Sequence, residues 1–371
     1  MIYFDNAATT KPHKEAIGVL NAVLRDNYAN PSSLHKGGIE AEKIISAAKK
    51  TILSKLPGGG RLIFTSGGTE SNNLALFGLR EPKGEKQRKI ITTTIEHPSV
   101  AEPLDEIEKH GFSGGSSTSI LRLSPVKGEN FEDRIISAVD QDVMLVSVMA
   151  VNNETGFVID TPKIYSAVKS RFPNCTVHTD AAQGFMKIPA DGDLISLSAH
   201  KVHGVKGVGA LFIKDGVALK PRIRGGGQQD GLRSGTEPTE LIAAFEAAVQ
   251  NFKYEHKHFT ELSEYLSKLL EDFNGVNYRL NSRGNLPGIV NFTVNGVKSE
   301  ILLHYFAEND IYVSSGSACA KNSKSKALLA FGVSERDADS ALRLSFSEEN
   351  TTAEIDRFAE VLKAGIQRFK R

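Results

Sequence analysis

A lysine and an aspartate stand where a buried sheet would bring both to one edge. Lys201 closes the motif Ser-Ala-His-Lys of residues 198–201, directly after an apolar run, and Asp180 follows the preceding apolar run. Ligand sites in open α/β sheets lie at the carboxyl ends of such strands. Pyridoxal phosphate needs an amine for its Schiff base and a carboxylate that keeps its pyridine nitrogen protonated. The pair predicts this cofactor, although an isolated Asp and Lys are more often solvated.

A glycine-rich turn and three polar residues add to this prediction. Residues 65–73 read Thr-Ser-Gly-Gly-Thr-Glu-Ser-Asn-Asn between a predicted strand and a helix, which favours a phosphate cradle, although paired glycines often form only a tight turn. His97 is a candidate for stacking on the ring, but a lone histidine is more often a surface or capping residue. Asn153 and Gln183 are candidates for hydrogen bonds to the ring hydroxyl oxygen.

The chain has two cysteines, too few for a disulfide framework or a four-ligand metal site. Cys175 opens the apolar run before Asp180 and is predicted to be a small buried hydrophobic residue. Cys319 lies among small residues and lysines in residues 314–326, which predicts an exposed, mobile loop with an accessible thiol. We hypothesise that the lysines raise its thiolate fraction above the few per cent (about 3%) expected of an ordinary cysteine at neutral pH.

The order of elements predicts an α/β protein with a second, smaller α+β domain. From about residue 60 to about residue 215, apolar strands alternate with amphipathic helices, which is typical of βαβ units and a mostly parallel sheet. The predicted strands of this part cover residues 62–65, 89–93, 120–123, 143–151, 176–179, 193–198 and 208–213.

Residues 240–270 are predicted to form one long helix that leads to the smaller domain. Predicted strands there are 276–280, 289–294 and 342–346, with a helix over 299–308. In the closing helix, Thr351 and Glu354 have capping-box spacing. The large domain is predicted to span residues 15–250. The small one is predicted to combine residues 1–14 with 251–371 and to carry the Cys319 loop.

Composition excludes several classes of protein. The 371 residues carry a formal net charge of +1, so there is no electrostatic case for nucleic acid or an anionic membrane as a partner. The chain has no apolar run of the about 18 residues that a membrane span needs, and its N-terminus lacks the apolar core of a signal peptide. We therefore expect a cytoplasmic protein.

Nine motifs, in order along the chain, resemble those of cysteine desulfurases of the iron–sulfur cluster assembly type. This group belongs to the class V aminotransferase-like family of fold-type I pyridoxal phosphate enzymes. The motifs cover residues 4–10, 30–33, 66–73, 96–97, 152–154, 180–183, 198–201, 233–236 and 314–319. The resemblance implies the fold-type I architecture: a large domain with a mostly parallel seven-stranded sheet flanked by helices, and a smaller α+β domain.

The resemblance also implies roles for the matching residues. Lys201 would form the Schiff base with pyridoxal 5'-phosphate, Asp180 would pair with its pyridine nitrogen, and His97 would stack on its ring. The ring hydroxyl would lie near Asn153 and Gln183. The phosphate would be held by Gly68, Thr69, Ser198 and His200, and by Thr236 from the second subunit of a homodimer.

For the substrate, the resemblance implies that Arg343 grips the carboxylate of L-cysteine, a task suited to its planar fork, with Asn6 nearby. The reaction would convert L-cysteine to L-alanine and transfer its sulfur to Cys319 as a persulfide. The sulfur would pass to an iron–sulfur scaffold or a tRNA thiolation protein. Cys319 is also the candidate ligand of a transient cluster, and no other metal site is predicted.

Two other functions compete with this one. Another enzyme of the same fold, such as an aminotransferase, a selenocysteine lyase or a cysteine sulfinate-type lyase, would not require Cys319. A non-enzymatic sulfur carrier or scaffold would not require Lys201, Asp180, His97 and Arg343 together. The chain also ends at residue 371 without the longer tail of the iron–sulfur type enzymes, and its loop after Cys319 is shorter, so the sequence leaves the sulfur acceptor open.

Overall fold

The computed structural model describes residues 1–79, 88–112, 118–271, 278–282, 286–315 and 325–369. The chain divides into two compact units. The larger unit consists of Lys11–Ala150 and Ile159–Lys253, and the smaller one of Met1–Thr10, Val151–Val158 and Tyr254–Arg371. The sequence predicted residues 15–250 as one domain, whereas in the structure residues 151–158 group with the smaller unit.

Helices and strands alternate along most of the chain. The chain begins with β1 Ile2–Tyr3, α1 Lys14–Asp26, α2 Lys36–Leu53, β2 Gly60–Thr65, α3 Gly68–Gly78, β3 Arg88–Thr93, α4 Pro98–His110, β4 Thr118–Leu123, α5 Phe131–Ser137, β5 Val143–Met149, α6 Thr161–Arg171, β6 Thr176–Asp180, β7 Leu194–Ser198 and β8 Gly209–Lys214, with a short 3₁₀ helix, Ala199–Lys201, after β7. It continues with α7 Thr239–Asn251, α8 His256–Glu271, β9 Tyr278–Leu280, β10 Ile289–Val294, α9 Ser299–Glu308, β11 Ile311–Tyr312, β12 Ser314–Ser315, α10 Lys326–Ala330, α11 Glu335–Asp339, β13 Ala341–Ser345 and α12 Thr352–Phe369.

The larger unit is built on a seven-stranded sheet with the order β2-β8-β7-β6-β5-β3-β4. Within this sheet, β8 runs antiparallel to its two neighbours, and the other pairs are parallel. Successive residues of β7 pack on opposite sides, since Leu194 belongs to one apolar core and Ile195 to another. A sheet covered on both faces requires apolar residues at consecutive positions, as the sequence shows. The predicted mostly parallel α/β sheet is therefore confirmed.

One predicted strand is shorter than expected. The apolar run 143–151 predicted a single strand, but β5 ends at Met149. The side-chain Oδ1 of Asn152 accepts hydrogen bonds from the backbone N–H groups of Glu154 and Thr155, each at 3.0 Å. This turn, closed by Gly156 at φ 72°, brings Val151 back to pair with Val158. Local side-chain bonds of this kind compete with strand pairing.

The predicted helix over 240–270 is in fact two helices. α7 ends at Asn251, Phe252 is extended with φ −67° and ψ 130°, and α8 begins at His256. Phe252 packs on a core of the larger unit, whereas Tyr254 packs on the core of the smaller one, where its ring stacks on Phe259 at 4.6 Å. The apolar spacing continues through the break without glycine or proline, so the sequence carried no stop signal.

The smaller unit contains an antiparallel sheet with the order β12-β13-β10-β9 and a parallel pair of β1 and β11. Its core includes Phe358 of α12, whose ring stacks on Phe306 at 4.8 Å and meets Phe4 edge to face at 6.2 Å. The predicted capping box of α12 is present. The Thr351 backbone N–H donates to Glu354 Oε2 at 3.0 Å, and the Glu354 N–H donates to Thr351 Oγ1 at 3.4 Å.

Two further findings concern the whole described part of the chain. No helix in it combines the length and the apolar character that a membrane crossing demands. Cys175, as predicted, is a free and buried thiol, and burial raises its pKa to about 12. The predicted mobile loop with Cys319 lies outside the described residues.

The contact between β8 and the glycine-rich turn gives a first prediction. A Cβ atom on Gly209 would lie 2.6 Å from the Gly67 Cα and 2.6 Å from the Leu197 carbonyl oxygen. Because both are backbone atoms, we expect Gly209→Ala to lower the free energy of unfolding by about 1–3 kcal/mol. Gly58→Ala is the control, since a Cβ there meets no atom within 4 Å. Equal urea midpoints for the two variants would contradict this account.

Candidate active site

The glycine-rich turn places the start of α3 against the end of β7. A Cβ atom on Gly68 would lie 3.5 Å from the Ser198 Cβ and 3.9 Å from its Oγ. The turn is fixed by Thr65, whose hydroxyl lies 2.8 Å from that of Ser71. Helix N-termini attract anions through their free N–H groups. Gly68 and Ser198, both predicted to hold the phosphate, are thus neighbours.

Asp180 ends β6, and its side chain is buried and paired. Its Oδ2 accepts a hydrogen bond from Asn72 Nδ2 at 2.8 Å, and its Oδ1 accepts one from the Ala182 N–H at 2.9 Å. A buried carboxylate needs such donors because it has lost its water. The pairing holds the Asp180 carboxylate in one orientation, as a partner of a pyridine nitrogen must be held.

His97 is connected to Asp180 through two side chains. Asn72 Nδ2 also donates to Ser99 Oγ at 2.8 Å, and Ser99 Oγ lies 2.7 Å from His97 Nδ1. Because Nδ1 also accepts from the Ser99 backbone N–H at 3.1 Å, the network assigns the ring proton to Nε2. Burial lowers the pKa of His97, Asp180 raises it, and Lys201 lowers it.

The structure shows one of the two roles that the sequence left open for His97. It caps α4 with its Nδ1, as a lone capping histidine would. With Thr69 it also lines a groove of about 490 Å³ along α3 and α4. Whether its ring stacks on the cofactor stays a prediction, and a neutral ring is the form suited to stacking.

Lys201 ends the 3₁₀ helix that follows β7 and is half-buried. Burial lowers the pKa of its neighbour His200 to about 4, and the positive charge of Lys201 acts in the same direction. His200 is therefore a neutral hydrogen-bonding group near pH 7. Burial likewise lowers the pKa of Lys187 to about 7, helped by the charge of Lys201. The catalytic lysine predicted from the sequence thus lies among several basic groups.

Two buried polar atoms test whether pyridoxal phosphate fits this site. Ser198 Oγ and Gln183 Oε1 are shielded from solvent, and neither has a hydrogen-bond partner among the described residues. Such groups are rare in folded proteins unless a ligand or water completes them. Ser198 was predicted to bind the phosphate and Gln183 the ring hydroxyl. The residues therefore fit the cofactor. Thr236, predicted to act in a second subunit, is exposed on this chain.

The predicted substrate residues lie in the smaller unit. The Arg343 guanidinium is buried, with Nη2 donating to Asp5 Oδ1 at 2.6 Å and Nη1 donating to the Asn153 carbonyl at 2.9 Å. Arg343 Nε is enclosed and has no partner among the described residues. Asn6 donates its amide hydrogens to the carbonyls of Tyr3 and Ser345, at 3.3 and 3.0 Å.

Three predicted residues therefore differ from expectation or remain without a description. Asn153 does not end a strand of the seven-stranded sheet but lies in the turn 152–156 of the smaller unit, and its contact with the cofactor stays a prediction. The hydrogen bonds of Asn6 are structural, and its substrate role stays a prediction. Cys319 lies outside the described residues.

Sequence reasoning missed Asn72 and Ser99, which connect Asp180 to His97. A signal for Asn72 was present, since it stands four residues after Gly68 and one helical turn returns a residue to the same face. Ser99 lies two residues after His97, a spacing typical of helix capping. Glu96, the third missed residue, accepts hydrogen bonds from Thr93 and Met149.

Loss of the Asn72 amide gives a second prediction. In Asn72→Ala, the buried Asp180 carboxylate loses a donor, which costs about 1–3 kcal/mol and should weaken pyridoxal phosphate binding about 5-fold to 150-fold. Asn73→Ala is the matched control, because that amide donates to the Thr69 carbonyl in an exposed hydrogen bond. Titration of the cofactor followed by absorbance measures both affinities. Equal affinities would mean that Asn72 does not support Asp180.

Comparison with known proteins identifies the family. The chain matches the aminotransferase class-V family over residues 2–358. It is 38% identical to a NifS/IcsS protein homolog of Lactobacillus delbrueckii subsp. bulgaricus, covering 100% of this chain and 98% of the relative. It is 36% identical to the cysteine desulfurase IscS of Clostridium botulinum, over 97% and 93% of the two chains. The solved structure of a NifS-like protein superposes with a TM-score of 0.86 at 32% identity, covering 99% of each chain. The chain therefore belongs to the aminotransferase class-V family and, within it, to the NifS and IscS group of cysteine desulfurases.

Proposed function

We propose that this chain releases L-alanine from L-cysteine and passes the sulfur on through Cys319. As a member of its family, the protein is a pyridoxal phosphate-dependent cysteine desulfurase. The observation that carries the assignment of residues is the buried network in which Asn72 holds Asp180, beside two enclosed and unpaired atoms on Ser198 and Gln183. That set of groups matches the ring and phosphate of the cofactor.

Each candidate site residue of the larger unit has a task in this proposal. When bound, pyridoxal phosphate draws electrons away from the substrate Cα, which acidifies the proton there and weakens the Cβ–S bond. The Lys201 amine holds the cofactor and, once free, moves that proton. The Asp180 carboxylate keeps the pyridine nitrogen protonated. Neutral His200, with Gly68 and Ser198, holds the phosphate.

Arg343 is the proposed binding group for the substrate carboxylate. Two of its donor nitrogens are already oriented, by Asp5 and by the Asn153 carbonyl. The enclosed Nε–H has no partner among the described residues, and we assign it, with the second hydrogen of Nη2, to the substrate carboxylate, since guanidinium groups bind carboxylates through such paired donors. Asp5 thus orients Arg343 and leaves its Nε–H available as a donor.

The sulfur step requires a nucleophile, and we assign it to Cys319. Its thiolate attacks the substrate sulfur, so that an S–S bond forms as the Cβ–S bond breaks. The electron pair of the broken bond remains on the substrate, which takes up a proton and leaves as L-alanine. This assignment rests on the motif 314–319. The proposed partners are a second copy of the chain, which supplies Thr236, and a sulfur-acceptor protein. A cytoplasmic location also remains a prediction.

Removal of the lysine tests the cofactor assignment. We expect Lys201→Ala to lose the absorbance band of covalently held pyridoxal phosphate and to form L-alanine at least about 1,000-fold more slowly, because both the covalent link and the base are gone. Lys206→Ala, which removes an exposed lysine from the same region, should keep the band and the rate. Retention of the band by Lys201→Ala would refute the role of Lys201.

The two cysteines form a matched pair for testing the nucleophile. Cys319→Ser should bind pyridoxal phosphate normally but carry no persulfide after incubation with L-cysteine, since a hydroxyl cannot accept the sulfur in this way. Cys175→Ser should remain active, because Cys175 is buried and its raised pKa of about 12 keeps it a thiol. Mass spectrometry of the intact protein detects the added sulfur. Undiminished release of sulfide by Cys319→Ser would instead favour a lyase that needs no enzyme thiol.

A further inference from the structure

Glu96 precedes His97 in the motif of residues 96–97, and neither the roles implied by the resemblance nor the proposed reaction uses its carboxyl group. Its Oε1 accepts a hydrogen bond from the Thr93 hydroxyl at 2.5 Å, at the end of β3. The same oxygen accepts one from the Met149 backbone N–H at 3.0 Å, at the end of β5. One side chain therefore connects the carboxyl ends of two neighbouring parallel strands.

The second carboxyl oxygen of Glu96 indicates the charge state. Although part of the residue is exposed, Oε2 is shielded from solvent and has no hydrogen-bond partner among the described residues. An ionised carboxylate spreads its charge over both oxygens, so half of that charge would lie enclosed without a donor or water. A neutral acid reduces this cost, because its carbonyl oxygen takes both hydrogen bonds and the group left without a partner is an uncharged hydroxyl.

The surroundings of Glu96 favour the neutral form further. Among the described residues, the charged group that acts on Glu96 is Asp180 on β6. The next residue in the chain, His97, is acted on by Asp180 and Lys201. Burial raises the pKa of Glu96 to about 8, with Asp180 adding to the rise and the hydrogen bond from Thr93 opposing it. A second negative charge beside Asp180 is therefore unfavourable near pH 7.

The contact with Met149 connects Glu96 to the cofactor site. Met149 is the register partner of Asp180, and the next residue, Ala150, donates its N–H to the Asp180 carbonyl at 2.9 Å. We propose that Glu96 is a positioning residue that works as a neutral carboxylic acid, holding the end of β5 and thereby the backbone of Asp180 in place beside His97. Its importance for catalysis, though not its protonation, rests on the proposed function.

The test compares urea unfolding of the full-length protein with that of Glu96→Gln, whose amide is neutral at every pH. The neutral acid stabilises the fold fully below its unfolded pKa of about 4.5, and this stabilisation is lost as the pH rises to its folded value of about 8. The unfolding equilibrium constant of the wild type, divided by that of Glu96→Gln, should increase by up to about tenfold per pH unit from pH 6 to 8. Above pH 8 this ratio should stay level. Glu102→Gln, an exposed carboxyl on α4, should show no such slope.

The same samples report on the cofactor site. At pH 7 we expect Glu96→Gln to bind pyridoxal phosphate with wild-type affinity, because its amide oxygen can accept from Thr93 and Met149. Glu96→Ala should bind about tenfold more weakly, since two hydrogen bonds at the strand ends are lost. The proposal would be overturned if the ratio of the wild-type to the Glu96→Gln unfolding equilibrium constant stayed constant from pH 6 to 9. It would also be overturned if the Gln and Ala variants lost the same amount of cofactor affinity.

These readouts separate this inference from the proposed function. Failure of all proteins, wild type included, to bind pyridoxal phosphate would refute the proposed function, while the unfolding comparison would still decide the charge of Glu96. Only the role of Glu96 would be refuted if the wild type bound pyridoxal phosphate normally and the ratio of the wild-type to the Glu96→Gln unfolding constant did not change with pH.

Discussion

A carboxylate buried at the end of a parallel strand has to find donors within the protein, and in this chain the pairing of Asp180 meets that requirement. The Asn72 amide donates one hydrogen to Asp180 and the other to Ser99, so a single side chain sets the position of Asp180 relative to the His97 ring. This network joins α3, α4 and β6, which are far apart in sequence. The proposed cofactor site depends on this network, because a pyridine nitrogen needs an ionised, oriented partner.

The sheet supplies the rest of the geometry. In a parallel sheet, consecutive strands end at the same edge, so the residues after β3, β6 and β7 gather there without any local signal. Glu96 and Asp180 contribute acidic groups to this edge, and Lys201 and His200 basic ones. Burial lowers the pKa of His200 and raises the pKa of Glu96, so that both side chains are neutral near pH 7.

In the smaller unit, a buried positive charge is also paired within the protein. Arg343 is buried on β13, where an unpaired guanidinium would be costly, and Asp5 and the Asn153 carbonyl pair with part of it. These partners come from the first ten residues of the chain and from residues 151–158, which join this unit although they lie far from β13 in sequence. The enclosed Nε that remains is the proposed donor to the substrate carboxylate.

The sequence by itself determined the α/β class, the strands of the large sheet and the identity of the cofactor, because apolar runs and the residues that end them are local patterns. It also predicted the capping box of α12, which the structure contains, and the candidate residues Lys201 and Asp180, whose roles remain proposals. The break between α7 and α8, the early end of β5 and the place of residues 151–158 were decided only in the tertiary structure, since packing of Phe252 and Tyr254 on separate cores and the Asn152 turn override local periodicity. The roles of Asn72 and Ser99, and the charge state of Glu96, were likewise beyond the sequence. A hydrogen bond between residues far apart in the chain, and the burial that shifts a pKa, exist only once the chain has folded.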